Sequence, residues 1–277
     1  MRTQLSTEQA QTRMRVRTIL RAVVGFMVFL FLAPVAMFIA AGDWRWGWGW
    51  VYVGLSLMAA VLSRVIAARK NPNMLAERAR YTEHQDAKPW DRVLMPLVGL
   101  YGPLVLCIVI GLDRRWQWSP LLPLALQLTA LVVVASGMAL AIWAFVANQF
   151  FSAVVRIQKD REHAVVTSGP YRFVRHPGYA GGALSYLAAP VMLGTLWAFI
   201  PAVLLTAVIV VRTELEDKTL RDELAGYAEY AQRTRYRLVQ ASGSILEMMG
   251  GVRCSLFKIL SSGLLFRCSG CWWAPRW

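Results

Sequence analysis

Hydrophobic positions in this chain come in long unbroken runs. No charged residue interrupts residues 22–42, 46–63, 93–112, 116–155 or 178–211. A helix crosses the hydrocarbon core of a bilayer with roughly 20 residues, so each of the first three runs predicts one span. The fourth is too long for one crossing, and its polar end, with Asn148, Gln149 and Ser152, is expected outside the core. The fifth contains Pro190 and Pro201 and as one straight helix would overshoot a core of ~30 Å. It predicts two short crossings or a helical hairpin turning near Gly194 and Thr195. The whole pattern predicts an all-α, polytopic integral membrane protein with about five to six transmembrane helices. Buried helices of a soluble protein would show polar faces, which residues 23–39 and 121–146 almost wholly lack.

Between the runs lie polar connections. Residues 1–18 form a basic lead-in, and residues 71–91 a polar loop. Residues 148–177 are the longest polar stretch between spans. Residues 212–239 are charged and helix-prone, which predicts an amphipathic helix along one membrane face. Three regions follow: N-terminal transmembrane helices at 1–147, a region of chemically distinctive motifs with its helical hairpin at 148–239, and a tail at 240–277. The tail is rich in Ser, Gly, Cys, Trp and Arg without a period, and no function is assigned to it.

Composition agrees with the pattern. Of 277 residues, 57% are hydrophobic and 17% charged, less charge than a soluble domain carries. The net charge of +14 is explained by the positive-inside rule rather than by nucleic acid. With the N-terminus cytoplasmic, the inner segments hold 27 of the 30 Lys and Arg, and the outer turns only Arg45, Arg114 and Arg115. Trp44, Trp46, Trp48, Trp50, Trp116 and Trp118 fall on the outer edge, as an aromatic belt does. The expectation is a bacterial inner membrane with both termini cytoplasmic and no cleavable signal peptide. Cys268 and Cys271 have CxxC spacing, but without a second pair or a nearby histidine they make no metal site.

Two segments can carry chemistry. The first is a turn-rich loop from His163 to Gly181. Gly169 and Pro170 mark a tight turn there, and Pro177 holds His176 extended and starts the next helix. A polar loop with free backbone groups, ringed by tyrosines and cations, suits a polar cofactor. The second runs from Arg212 to Tyr230 and places Arg212 and Glu216 at i and i+4 on one helix face, where an apolar hairpin ends. Ionisable residues at that depth are functional candidates by default. The plain alternatives are an interfacial His176, positive-inside charges at Arg172 and Arg175, and an ordinary Arg212–Glu216 helix pair.

These residues resemble the isoprenylcysteine carboxyl methyltransferase family in its broad bacterial branch. The matching motifs are His-x4-Ser-Gly-x-Tyr-x3-Arg-His-Pro-x-Tyr at 163–179 and Arg-x3-Glu-Asp-x2-Leu, followed by Gly-Tyr-x2-Tyr, at 212–230. The resemblance implies S-adenosyl-L-methionine as cofactor, in a pocket at the cytosolic face closed by C-terminal helices. Carried over by position, Gln158, His163, Ala164, Val165, Val166 and Tyr171 would line the cofactor site. So would His176, Pro177, Gly178 and Tyr179. Glu216 would bind the cofactor's ammonium, loop amides, His176 or Arg175 could hold its carboxylate, and Arg212 would face the acceptor. Arg212 and Glu216 are thus the catalytic candidates. The chain departs from the family at Glu162, where glycine is expected, and at Gln240, where the bacterial branch has proline.

Methyl transfer from a sulfonium is a one-step displacement, and a carboxylate acceptor is already deprotonated at pH 7. Such an enzyme needs alignment in a water-poor site and no metal or catalytic triad. The expected partners are membrane lipids and an amphipathic small-molecule or lipid acceptor. Other readings are a phospholipid or amine N-methyltransferase, an NADPH-dependent steroid-reductase-like enzyme, and a small transporter. The reductase reading wants Asn before the tyrosine of His-Pro-x-Tyr and an acidic residue two positions after it, where this chain has Gly178 and Gly181.

Overall fold

The computed structural model describes residues 27–28, 30–70 and 86–238, which lie in one compact unit ending at Leu238. The lead-in at 1–18, the loop at 71–85, Gln240, the tail and Cys254, Cys268 and Cys271 fall outside the described residues. Every regular element among those described is helical. In chain order these are α1 (Leu30–Ala41), α2 (Gly47–Lys70), α3 (Asp91–Trp116), α4 (Leu124–Ala147), α5 (Pro177–Leu193), α6 (Phe199–Glu223) and α7 (Tyr227–Arg233). Pro96 lacks an N–H to continue the ladder of α3, and a π-helical turn over Leu97–Tyr101 follows it directly.

Among the described residues, four helical segments are long and apolar enough to cross a membrane: α2, α3, α4 and the stretch Leu196–Glu223 that contains α6. That is fewer than the five to six crossings the pattern predicts, because the described part of α1 is shorter and α5 has 17 residues. Outward-facing side chains identify the surrounding solvent. Val132 is 64% exposed, Leu204 62% and Met58 60%, on helices whose outer faces are apolar. Water would penalise that surface, whereas lipid does not.

The hairpin forms where it is expected. Gly194 takes φ +67° at the end of α5, a conformation glycine adopts without steric cost. The Thr195 N–H closes the turn on the Pro190 carbonyl at 2.8 Å, and a short 3-10 turn, Leu196–Ala198, leads into α6. Asp113, 1% exposed near the end of α3, fixes the turn. It accepts from the Ser119 N–H (2.9 Å), the Ser119 hydroxyl (2.6 Å) and the Trp197 N–H (3.0 Å).

Two features position the site. First, α4 and α5 cross through glycine. A Cβ on Gly181 would sit 2.4 Å from the Gly137 carbonyl oxygen, and one on Gly137 would meet the Gly181 carbonyl at 2.6 Å. Small residues let membrane helices approach this closely, and the crossing brings the loop after α4 against the start of α5. Second, α6 does not stop at Val211. It continues unbroken to Glu223, so Arg212 and Glu216 sit within a long helix. The separate amphipathic helix expected over 212–239 is replaced by this extension and the short α7.

The fold predicts sidedness. In a background freed of native cysteines, Ser168→Cys and Leu121→Cys should react with impermeant thiol reagents from opposite membrane faces. Labelling of both from one face would refute the arrangement.

Candidate functional site

Sequence dictates the site's frame locally. Residues before proline avoid the helical region. His176 accordingly sits at φ −126° and ψ 62°, with Pro177 the first residue of α5. Tyr179 therefore falls in the first turn of α5. On α6, Arg212, Glu216 and Leu220 recur every four residues and so share one face. The loop after α4 folds on its own polar groups. Asn148 Oδ1 accepts the Phe150 N–H at 2.8 Å. Gln158, 1% exposed, donates Nε2–H to the Phe150 carbonyl at 2.7 Å and accepts from Arg161 at 2.7 Å. The ring of His163 packs on that of Phe150, 4.6 Å between centroids.

These elements enclose one cavity. From the loop, its walls include Gln158, His163, Ala164, Val165 and Val166; from the approach to α5, Tyr171, Arg175, His176, Gly178 and Tyr179; from α6, Arg212 and Glu216. Sequence reasoning named all of these. Pro177 does not line the cavity; it is buried and only sets the backbone direction.

The ordinary Arg212–Glu216 helix pair, the plain alternative to a functional role, is not made among the described residues. Arg212 forks onto Asp91 instead, Nε to Oδ1 at 2.7 Å and Nη2 to Oδ2 at 3.1 Å. Nη2 also donates to the Ala153 carbonyl at 3.0 Å, and Nη1 to the Tyr179 hydroxyl at 2.6 Å. A guanidinium has five N–H donors, so one Nη1 hydrogen remains. The two-point fork with which an acceptor-facing arginine could hold a carboxylate is occupied. Glu216 has a different neighbour: the Tyr179 hydroxyl donates to its Oε2 at 2.7 Å, and Oε1 accepts no hydrogen bond among the described residues. Glu216 is the one carboxylate on the wall of this cavity among the described residues.

Arg175 is likewise committed. It forks onto Asp217 at 2.7 and 3.2 Å, and its Nη1 serves the carbonyls of Ala231, Thr234 and Arg235 at the end of α7. Cations suit a helix C-terminus, and Arg175 has little left for a cofactor carboxylate. Asp217, 0% exposed, is the hub of this corner. It also meets Arg221 and Arg237, accepts from the Tyr227 hydroxyl at 2.9 Å, and lies 3.4 Å from His176 Nε2. The Tyr230 hydroxyl, donating to the Tyr171 carbonyl, fastens α7 to the loop. By contrast, the backbone N–H groups of Ala164, Val165 and Val166 donate no hydrogen bond among the described residues.

Burial, aided by the positive charges of Arg156 and Arg161, lowers the His163 pKa from 6.5 to about 4. Its Nδ1 accepts the Gln158 N–H at 3.4 Å, so the neutral ring carries its proton on Nε2. Burial raises the Tyr227 and Tyr230 pKa values, the latter to about 12, and both hydroxyls stay protonated as donors. Sequence reasoning missed Asp91 and gave Asp217 no role. Asp91 is a lone acid at the head of an apolar run, and that position was its signal. Glu162, where glycine is expected, takes φ 51° and ψ 52°, a left-handed conformation that favours glycine.

Comparison with known proteins bears on the same region. Residues 125–225 match the family model described as phospholipid methyltransferase. The chain is 32% identical over 89 residues to protein-S-isoprenylcysteine O-methyltransferase B of Arabidopsis thaliana, 31% of this chain and 45% of that protein. It is 40% identical over 48 residues to the protein-S-isoprenylcysteine O-methyltransferase of Schizosaccharomyces pombe, 17% of this chain and 20% of that protein. A probable protein-S-isoprenylcysteine O-methyltransferase of Oryza sativa subsp. indica is 40% identical over 47 residues, 17% of this chain and 25% of that protein. The chain thus spans less than half the length of these curated relatives. Their names agree with the family that the motifs at 163–179 and 212–230 resemble.

Two outcomes follow from the loop. Glu162→Gly should raise the melting temperature, since a side chain in the left-handed region costs about 1 kcal/mol; an unchanged or lower value would count against strain there. His163 binds its proton less readily folded (about 4) than at its ordinary 6.5. The stability it contributes is therefore complete above about pH 6.5 and is lost as pH falls towards 4. Wild type should lose more melting temperature between pH 7 and pH 5 than His163→Gln does.

Proposed function

We propose that this chain, which carries a phospholipid-methyltransferase region and resembles the isoprenylcysteine carboxyl methyltransferases, is a membrane-embedded S-adenosyl-L-methionine-dependent methyltransferase. The acceptor is a carboxylate on an amphipathic, isoprenoid-like or lipid-like molecule. On this reading residues 148–238 form the transfer module and the helices before it the membrane frame. The setting is a bacterial inner membrane, with the cavity and both termini at the cytoplasmic face.

One observation carries the reading. Among the described residues the cavity offers a single carboxylate, Glu216, held on one oxygen by Tyr179 and without a hydrogen-bond donor on the other. The same wall offers the unused N–H groups of Ala164, Val165 and Val166. An ammonium and a carboxylate on one ligand need such a set of complementary groups. His163 Nε2–H and the aromatic faces of Phe150 and Tyr171 suit a flat, polar ring beside it.

Bound here, S-adenosyl-L-methionine would supply an activated methyl group. The protein's part is to hold, orient and exclude water. Glu216 anchors the amino end. The remaining Nη1 hydrogen of Arg212 gives an acceptor carboxylate one charged donor instead of a fork. Phe151, Val154 and Leu224 keep the surroundings apolar, which strengthens each of these contacts. A metal does not enter this scheme.

The reductase reading fits worse. A side chain at Gly181 would collide with the Gly137 backbone, so the acid it needs there has no room. Isothermal titration with S-adenosylhomocysteine and, separately, NADPH discriminates the two. Wild type should bind the first and not the second. Glu216→Gln keeps the shape and removes a charge-assisted bond worth roughly 1.5–3 kcal/mol, a ten- to hundredfold loss of affinity. Unchanged affinity in that variant would remove Glu216 from the cofactor site.

A further inference from the structure

We infer that Asp91 is a positioning residue for cofactor binding: it keeps Arg212 off Glu216 and so leaves that carboxylate to the cofactor's ammonium. The inference rests on the reading of the cavity as an S-adenosyl-L-methionine site. Asp91 itself lies on α3, outside the stretch 125–225 that matches the family model, and is not among the residues lining the cavity.

Arg212 and Glu216 are four residues apart on one face of α6, the spacing at which a guanidinium and a carboxylate pair. A direct pair would occupy, with an internal cation, the only carboxylate that the described residues give the cavity wall, and the ligand's ammonium would have to displace it. The structure prevents this in two ways. Asp91, 0% exposed, takes the fork of Arg212 at 2.7 and 3.1 Å and turns it towards α3. Tyr179 then fills the gap between cation and acid. Arginine can only donate, so at 2.6 Å Nη1 donates to the Tyr179 oxygen. The single tyrosine O–H is left to donate to Glu216 Oε2 at 2.7 Å. With Asp91 as acceptor at one end, the order of donors is fixed from Arg212 through Tyr179 to Glu216, and it leaves Oε1 uncommitted among the described residues.

Asp91 is also built in rigidly. Its Oδ2 accepts the Val155 N–H at 2.7 Å, its own N–H donates to the Lys88 carbonyl at 2.9 Å, and the Lys88 N–H donates to the Val155 carbonyl at 3.0 Å. The carboxylate is thus anchored to the cavity's loop as well as to α3. Without its charge, Arg212 is a buried cation in search of an acid, and Glu216 is the next acid on the same face of its helix, one turn on.

The test is calorimetric titration of the full-length protein in detergent with S-adenosylhomocysteine and with its analogue lacking the amino group. Asp91→Asn should weaken S-adenosylhomocysteine about tenfold, the size of one lost charge-assisted contact, and leave the analogue's affinity unchanged. Removing the competing cation in the same background, Asp91→Asn with Arg212→Gln, should recover most of the loss. Should Asp91→Asn not purify, Asp91→Glu keeps the charge but displaces the fork, and its loss should again be confined to S-adenosylhomocysteine. Equal weakening of both ligands, or no recovery in the double variant, would overturn the inference and make Asp91 a structural residue. Wild type binding normally, with Glu216→Gln weakened and Asp91→Asn unaffected, would overturn it while sparing the cofactor site. Wild type failing to bind S-adenosylhomocysteine would overturn both.

Discussion

A charge carried away from water must find a partner, and much of this molecule is arranged around that demand at one pair, Arg212 and Asp91. Both are almost wholly buried, where α6 leaves its apolar stretch and α3 begins. An unpaired ion at such a place costs several kcal/mol. The pair meets the demand with a two-point fork and further hydrogen bonds from the Val155 N–H and to the Ala153 carbonyl. Because those partners belong to the loop after α4, one ionic contact joins an early helix, the last long helix and the cavity wall. The glycine crossing of α4 and α5 supplies the remaining wall by packing alone.

The second ionic hub works on the same principle with a different result. Asp217 gathers Arg175, Arg221, Arg237 and the Tyr227 hydroxyl. It thereby ties the entry to α5, the end of α6, α7 and the segment just beyond it. Asp217 itself is left with nothing to offer a ligand. Two of the most conspicuous arginines in the motifs thus spend their donors mainly on architecture. The acid between the hubs, Glu216, keeps an oxygen open.

Four of the spans and the hairpin turn at Gly194 were legible in the sequence because each depends on local rules, and about half of the cavity residues because they sit in or beside the two motifs. Charge-free length marks a span, glycine marks a left-handed turn, and proline fixes the residue before it. The continuity of α6 was not legible. A switch from apolar to charged composition at Arg212 looks like the start of a new element, yet the backbone ladder is indifferent to whether lipid or protein surrounds it. The partner of Arg212 was also hidden. The i,i+4 rule names Glu216, and only the tertiary contact between α3 and α6 supplies the stronger competitor 121 positions away. The role of Arg175 was misread for the same reason, since its acceptors are carbonyls of a helix end distant in sequence.

Helix α3 carries a buried aspartate near each of its two ends, Asp91 and Asp113, and each grips the hairpin of α5 and α6, at its base and at its turn. Twenty-two residues at ~1.5 Å apiece set these anchor points ~33 Å apart, close to the thickness of a bilayer's hydrocarbon core. The helix is therefore a ruler riveted at both marks. In a thinner or thicker membrane the hairpin cannot slide along α3 without pulling a carboxylate from its donors. The mismatch has to be absorbed by the surrounding lipid or by tilting the bundle as one body. The geometry around Glu216 is thereby insulated from the changing composition of the membrane that holds it.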